Sequence, residues 1–146
     1  MKIFDHSVLD FEDNARVNGE LIAAIDDGLT AYNQTTYPDP KAAPITLTVE
    51  SADGELLAGL TGRNAYGWVR IDAVWVDERQ RGLGLGAKLV IRAEQVARER
   101  GCRGIHLATH GFQAPNFYEK LGYESFGMLE RYPDEHALIY YRKTLV

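Results

Sequence analysis

The apolar positions of this chain change period several times, and each change marks an element. Leu21, Ile22, Ile25, Leu29 and Tyr32 recur at three- and four-residue spacing, which predicts an amphipathic helix over about residues 14–33, weakened early by Gly19. Ahead of it, Ile3, Phe4, Val8 and Leu9 predict a first strand within residues 1–9. The run QTTYPDPKAAP, with Pro38, Pro40 and Pro44, cannot continue a helix and reads as a loop. ITLTVE (45–50) alternates apolar and polar residues, Asp53-Gly54 predicts a hairpin turn, and ELLAGLTG (55–62) predicts the second strand. A turn over 64–67 then leads into GWVRIDAVWV (67–76), rich in β-branched and aromatic residues.

After VDERQRGLGLG the period lengthens. Leu89, Ala93, Val96 and Ala97 mark a helix that stops at Gly101, a residue suited to the C′ position. IHLAT (105–109) reads as a short strand, 114–121 as a short helix closed by Gly122, and 124–130 and 137–145 as two strands joined by Tyr132-Pro133-Asp134-Glu135. Strand, helix, strand in the middle predicts a right-handed βαβ unit with a parallel pair. The expected fold is α+β, an α/β three-layer arrangement. Its mixed central sheet contains an antiparallel meander, one βαβ crossover and a C-terminal hairpin. The 146 residues are expected to form a single domain, 1–146.

Composition narrows the class. Apolar residues are 45% and charged residues 25%, the mix of a soluble globular domain. The single Cys102 excludes an intrachain disulfide and a cysteine-built zinc site. No apolar run reaches the roughly 18 residues of a membrane span, and Asp5 and His6 sit where a signal peptide needs its apolar stretch. A cytoplasmic protein is expected. The net charge of -5 argues against nucleic acid or anionic membrane as partner. The distribution is uneven. Residues 1–62 hold 3 basic and 11 acidic side chains, a balance of -8, whereas residues 79–103 hold 7 basic and 2 acidic, a balance of +5. A cationic segment within an anionic chain suggests a polyanionic ligand.

That segment begins as Val74-Trp75-Val76-Asp77-Glu78-Arg79-Gln80-Arg81-Gly82-Leu83-Gly84-Leu85-Gly86-Ala87. An apolar strand runs into a glycine-rich turn that opens a helix. Glycines let a ligand approach the backbone, the first-turn N–H groups point outward, and the helix dipole adds partial positive charge. Arg79 and Arg81 add full charges, so the segment reads as a pyrophosphate cradle. A dinucleotide fingerprint is a poor match, because Cys102 and Arg103 lie where an acidic residue should meet a ribose. The P-loop pattern is absent, since Lys88 stands between Ala87 and Leu89.

Arg79-x-x-Gly82-x-Gly84, preceded by Val74-x-Val76, resembles the acetyl-CoA-binding motif R/Q-x-x-G-x-G/A of the GNAT superfamily of N-acetyltransferases. Residues 114–123, Ala-Pro-Asn-Phe-Tyr-Glu-Lys-Leu-Gly-Tyr, resemble the family's downstream segment A-x-x-F-Y-x-K-x-G-F/Y. The order of elements is similar along essentially the whole chain, and the match is nearest to small bacterial members with Phe112-Gln113-Ala114 before the aromatic helix. The resemblance implies acetyl-CoA as co-substrate, no metal, and transfer of the acetyl group to a primary amine in a ternary complex. Arg81, Gly82, Leu83, Gly84, Leu85, Gly86 and Ala87 would hold the pyrophosphate. Val74, Trp75 and Val76 would bond the pantetheine arm through their backbone, in a gap where that strand splays from its parallel neighbour. Tyr118 would protonate the departing thiolate. Many members carry Asn at the position of Gly111, so Gln113 or Asn116 is left to replace that contact.

The proton acceptor stays open. Asp72 is the one carboxylate in an apolar and aromatic strand, four residues before Val76 and so expected on its face; pairing with Arg70 or Arg63 is the ordinary alternative. His110 is the rival base. His106 and His110 lie about 13 Å apart on a strand, too far to chelate. Trp68 and Trp75 are expected in core and sheet packing, and Cys102 in packing. The resemblance places residues of about 20–44 on the acceptor side, where Asp26, Asp27 and Asp39 would attract an ammonium and Tyr32 and Tyr37 would cover it. It leaves a homodimer open. A non-catalytic CoA-binding module and a protein-amine acetyltransferase are the rival readings to a small-molecule enzyme.

Overall fold

The computed structural model describes residues 18–146. The strand expected within residues 1–9, and the start of the first expected helix, lie outside them. The chain divides after Pro38 into two compact units. In the first, helix α1 (Gly19–Thr36) starts on Asn18, whose side chain accepts the Leu21 N–H at 3.2 Å. It runs to Thr36, three residues past the expected end at Asn33. Its stop is set by Pro38, which disfavours helical backbone at the preceding Tyr37.

The second unit is built on a mixed six-stranded sheet in the order β1-β2-β3-β4-β6-β5. Strands β1 (Ala43–Glu50), β2 (Leu56–Ala65) and β3 (Trp68–Val76) form the meander. Helix α2 (Leu85–Glu99) crosses to β4 (Gly104–His110), which lies parallel to β3. Helix α3 (Pro115–Lys120) leads to β5 (Glu124–Leu129) and β6 (Leu138–Thr144), the C-terminal antiparallel pair. The α+β expectation therefore matches the observed architecture. Among the described residues no helix is long and apolar enough to cross a membrane.

Three local differences from the sequence reading have physical causes. β2 continues to Ala65 because Asn64 is a buried strand residue: its amide nitrogen donates to the Lys41 carbonyl at 2.7 Å and its oxygen accepts Arg100 Nη1 at 2.7 Å. The turn is confined to Tyr66 and Gly67, both at positive φ. Trp75 is exposed, not packed in the core, whereas the Trp68 ring packs over Gly104.

The core lies between α2 and one face of the sheet. Leu89, Val90, Ala93, Val96 and Ala97 of α2 pack with Ala58, Leu60, Val69, Ile71, Ile105 and Leu107, all buried. Full burial of each larger aliphatic side chain contributes about 1.5–3 kcal/mol. Gly101, at φ +71°, ends α2 and lets the Cys102 N–H reach the Ala97 carbonyl at 2.8 Å. Cys102 itself is buried in the core, which pushes its thiol pKa up. α2 also carries a buried carboxylate, Glu94, which accepts Lys143 Nζ at 2.9 Å and the Tyr123 hydroxyl at 3.3 Å. Those bonds tie the helix to β6 and to the turn after α3, and they satisfy a charge that would be costly alone.

Gly104 opens β4 where three elements meet. A Cβ there would lie 2.4 Å from the Lys143 carbonyl oxygen and 2.6 Å from the Trp68 ring. Gly104→Ala is therefore expected to lower stability by about 1–3 kcal/mol through overpacking, read as a lower urea midpoint with an unchanged m-value.

Candidate functional site

β3 and β4 pair over three residues only, Trp68↔Gly104, Val69↔Ile105 and Arg70↔His106. Beyond them the strands part. On its other side β3 carries a register shift against β2: Gly62 pairs with Ile71 and Thr61 with Ala73, which leaves Asp72 as the extra residue of a bulge. The side-chain alternation changes phase there, with Val69 and Ile71 buried before it and Val74 and Val76 packed against the core after it. The four-residue count that put Asp72 on the face of Val76 fails at this bulge.

Two grooves open where the strands part. One, of about 340 Å³, is lined by Ile71, Asp72, Ala73 and Val74 from β3, Leu107, Ala108 and Thr109 from β4, and Gln113, Ala114 and Tyr118. The other, of about 670 Å³, is lined by Val74, Trp75, Val76, Gln80, Arg81, Gly82, Gly84, Leu85, Gly86 and Ala87, with Gln113, Ala114 and Phe117 opposite. They share Val74, Gln113 and Ala114.

The second groove ends on the glycine loop. Gly82 and Gly84 both adopt φ +77°, and a Cβ at either would meet nothing within 4 Å. They serve the left-handed backbone and leave its surface bare, and they relieve no packing. Gly84 is the N-cap of α2 and offers no side-chain acceptor. The first helical bond runs from the Lys88 N–H to the Gly84 carbonyl at 3.1 Å, so the N–H groups of Leu85, Gly86 and Ala87 have no acceptor within the helix. Gly86 differs: a Cβ there would lie 3.4 Å from the Phe117 ring, which closes the far wall. Arg81 lines the groove and donates from Nε to the Val76 carbonyl at 3.3 Å. Arg79 does not join it. Its guanidinium is taken by Asp77 at 2.9 Å and by Glu55, which raise its pKa, and the bonds from Arg79 in turn lower the pKa of Asp77.

The first groove holds the two candidate proton carriers. Tyr118 is buried, its ring packed against Tyr123 and Tyr141 at centroid distances of 5.8 and 6.1 Å. Burial raises its hydroxyl pKa above the ordinary tyrosine value. Asp72 accepts Arg70 Nε at 2.6 Å, the pairing weighed as its ordinary role, yet it also lines the groove. His110 lines neither groove: its ring is stacked between Phe112 and Tyr132, and its Nδ1–H donates to the Tyr132 carbonyl at 2.9 Å. Leu83 and Asn116 are exposed and line neither groove, whereas Gln113, left as an alternative to Asn116, lines both. Phe117, Gln80 and Thr109 also line the grooves; Phe117 stands within the aromatic segment, and the others carry no sequence signal. Among the described residues no three His, Cys, Asp or Glu side chains gather as metal ligands.

The profile of the Acetyltransferase (GNAT) family matches residues 9–123. This chain belongs to the GNAT acetyltransferase family. It is 46% identical over 107 residues to blasticidin-S acetyltransferase of Streptomyces morookaense, covering 72% of this chain and 79% of the relative. The crystal structure of a protein from Agrobacterium tumefaciens described as an acetyltransferase aligns with a TM-score of 0.88 at 29% identity, over 94% of this chain and 100% of that one. An aminoglycoside 6′-N-acetyltransferase complexed with coenzyme A shares the fold, with a TM-score of 0.62 at 20% identity, over 92% of this chain and 96% of that one.

The residues present suit coenzyme A as a GNAT acetyltransferase would hold it. The bare loop surface, three outward N–H groups and Arg81 match a pyrophosphate. The edge of β3 beyond Arg70, unpaired with β4, offers backbone groups to an arm that carries amides. Gly84→Val is expected to lose most CoA affinity by titration calorimetry, because a β-branched residue is strained at φ +77° and projects into the cradle. Wild-type affinity should also fall as salt is raised.

Proposed function

We propose that this acetyltransferase moves the acetyl group of acetyl-CoA to a primary amine of a small molecule by direct attack in a ternary complex. The observation that carries this is the continuity of the two grooves, with a glycine cradle at one end and Tyr118 and Asp72 at the other. Bound acetyl-CoA supplies an activated thioester. The amides of residues 85–87 and Arg81 hold the pyrophosphate, and the β3 edge at residues 74–76 holds the arm. Asp72, steadied by Arg70, takes the proton that the attacking amine gives up. The new C–N bond forms as the C–S bond breaks, and the Tyr118 hydroxyl gives its proton to the leaving sulfur. The raised pKa suits this role, because the phenol stays protonated throughout the neutral range. No acyl-enzyme is needed, and the buried Cys102 takes no part.

A small-molecule acceptor is supported by the relative named for blasticidin-S. The balance of -8 over residues 1–62 favours a cationic acceptor.

Tyr118→Phe keeps the packed ring and removes the proton. A general acid is worth roughly 10²–10⁴-fold. The loss in kcat is expected at or below the lower end of that range, because a thiol with a pKa of about 8.5 leaves readily. CoA affinity should stay near wild type. The wild-type rate should keep this acid up to and beyond pH about 10, since a raised pKa extends the protonated form upward. A variant with unchanged single-turnover rate would remove Tyr118 from the mechanism.

Matched acceptors that differ by one added carboxylate test the charge reading. The cationic member should show the higher kcat/KM at low ionic strength, with the gap narrowing as salt is added. Equal values at low salt would show that the acidic half does not attract the acceptor.

A further inference from the structure

Of the three residues that line both grooves, Gln113 alone has a polar side chain. Its carbonyl oxygen is occupied from behind: Oε1 accepts the Thr109 hydroxyl at 3.2 Å and the His110 N–H at 2.9 Å. An amide oxygen has two lone pairs, and the end of β4 uses both. The orientation of the amide follows from this. Turned over, its NH2 would face the His110 N–H, donor against donor. The group left for the grooves is the nitrogen, with two hydrogens and no acceptor among the described residues. Gln113 is thus a fixed donor at the junction of the two grooves, held without help from any ligand.

Resting on the acetyl-CoA reading above, we propose that Gln113 is a binding residue whose Nε2 donates to a carbonyl oxygen of the amide-bearing arm between thioester and pyrophosphate. The junction is where that arm passes from the glycine cradle to Tyr118. Because the amide is already clamped, little side-chain freedom is lost on binding. Gln113 recognises the arm, and the cradle recognises the diphosphate. A ligand that carries the diphosphate without the arm gains nothing from Gln113.

Two variants separate this role from loop clamping. Gln113→Glu keeps an oxygen for the Thr109 and His110 donors and replaces the NH2 by a second oxygen, which repels a carbonyl. Gln113→Met removes both functions. Calorimetric titration uses CoA and, as the armless probe, 3′-phospho-ADP. Gln113→Glu is expected to weaken CoA by roughly tenfold or more, the worth of one hydrogen bond, at least as much as Gln113→Met, with 3′-phospho-ADP unchanged in both. CoA binding to Gln113→Glu at wild-type affinity would overturn the proposal and leave a clamp. Equal weakening of both ligands would overturn it in favour of a general charge effect. Neither result would disturb the cofactor reading, which stands on CoA binding by the wild-type protein and its loss in Gly84→Val. A wild-type protein with no CoA affinity would overturn both.

Discussion

Everything at the site depends on where β3 stops pairing with β4. Three residue pairs hold the strands together at the Arg70/His106 end, and a bulge at Asp72 re-aims β3 immediately beyond them. A parallel pair that continued to Val76 would satisfy the backbone of both strands and fill the space now occupied by the two grooves. Gly62 makes the bulge possible from the neighbouring strand, since a Cβ there would collide with the Arg70 carbonyl. One register shift thereby opens the gap, brings Asp72 to its wall and moves Val74 and Val76 onto the core face.

An opened sheet needs reinforcement elsewhere, and α2 provides it. Its flank is buried over β2, β3 and β4, and Glu94 fastens it to Lys143 and Tyr123. Lys143 also donates to the Leu121 carbonyl at 2.8 Å, so the cluster reaches the turn that ends α3. The helix that presents the glycine loop and the helix that presents Tyr118 are therefore held by one buried polar cluster. Breaking a buried pair by removing one partner typically costs 3–5 kcal/mol, so the relative placement of loop and tyrosine is not easily lost.

The sequence was most legible where one residue type has one physical use. Glycines after an apolar strand, a proline run and a period change from two to 3.6 place the loop, the helices and the meander. It was least legible where meaning lies in register. Asp72 looked like a face-sharer of Val76 because strict alternation was assumed, and no composition signal announces a bulge. Asn64 looked like a turn former because its partners, Lys41 and Arg100, are distant in sequence. Trp75 looked like core because its size suggests burial, yet after the phase change it is exposed. Gln113 rather than Asn116 reaches the grooves because the short helix α3 turns Asn116 outward, and two candidates three residues apart cannot be ranked before that helix is placed.

Charge summed over a segment overstates the charge free to meet a ligand. A balance of +5 over residues 79–103 suggests a polyanionic ligand, but most of those cations are already engaged. Arg79 is held by Asp77 and Glu55, Arg92 by Glu99, Arg98 lies 3.9 Å from Glu94, and Arg100 is bonded to Asn64 and to the Pro44 carbonyl. Arg81 is bonded only to a backbone carbonyl, and it is the cation that lines the loop groove. On the proposed reading, recognition of a diphosphate at this loop would rest on one guanidinium and the dipolar N–H groups of one helix turn. Such a site is strong through direction more than through net charge: amides fixed by the fold lose little entropy on binding, whereas a cluster of mobile lysines would be screened and would accept any anion. An acidic protein can bind a polyanion selectively in this way, since its overall field repels anions that cannot reach the cradle.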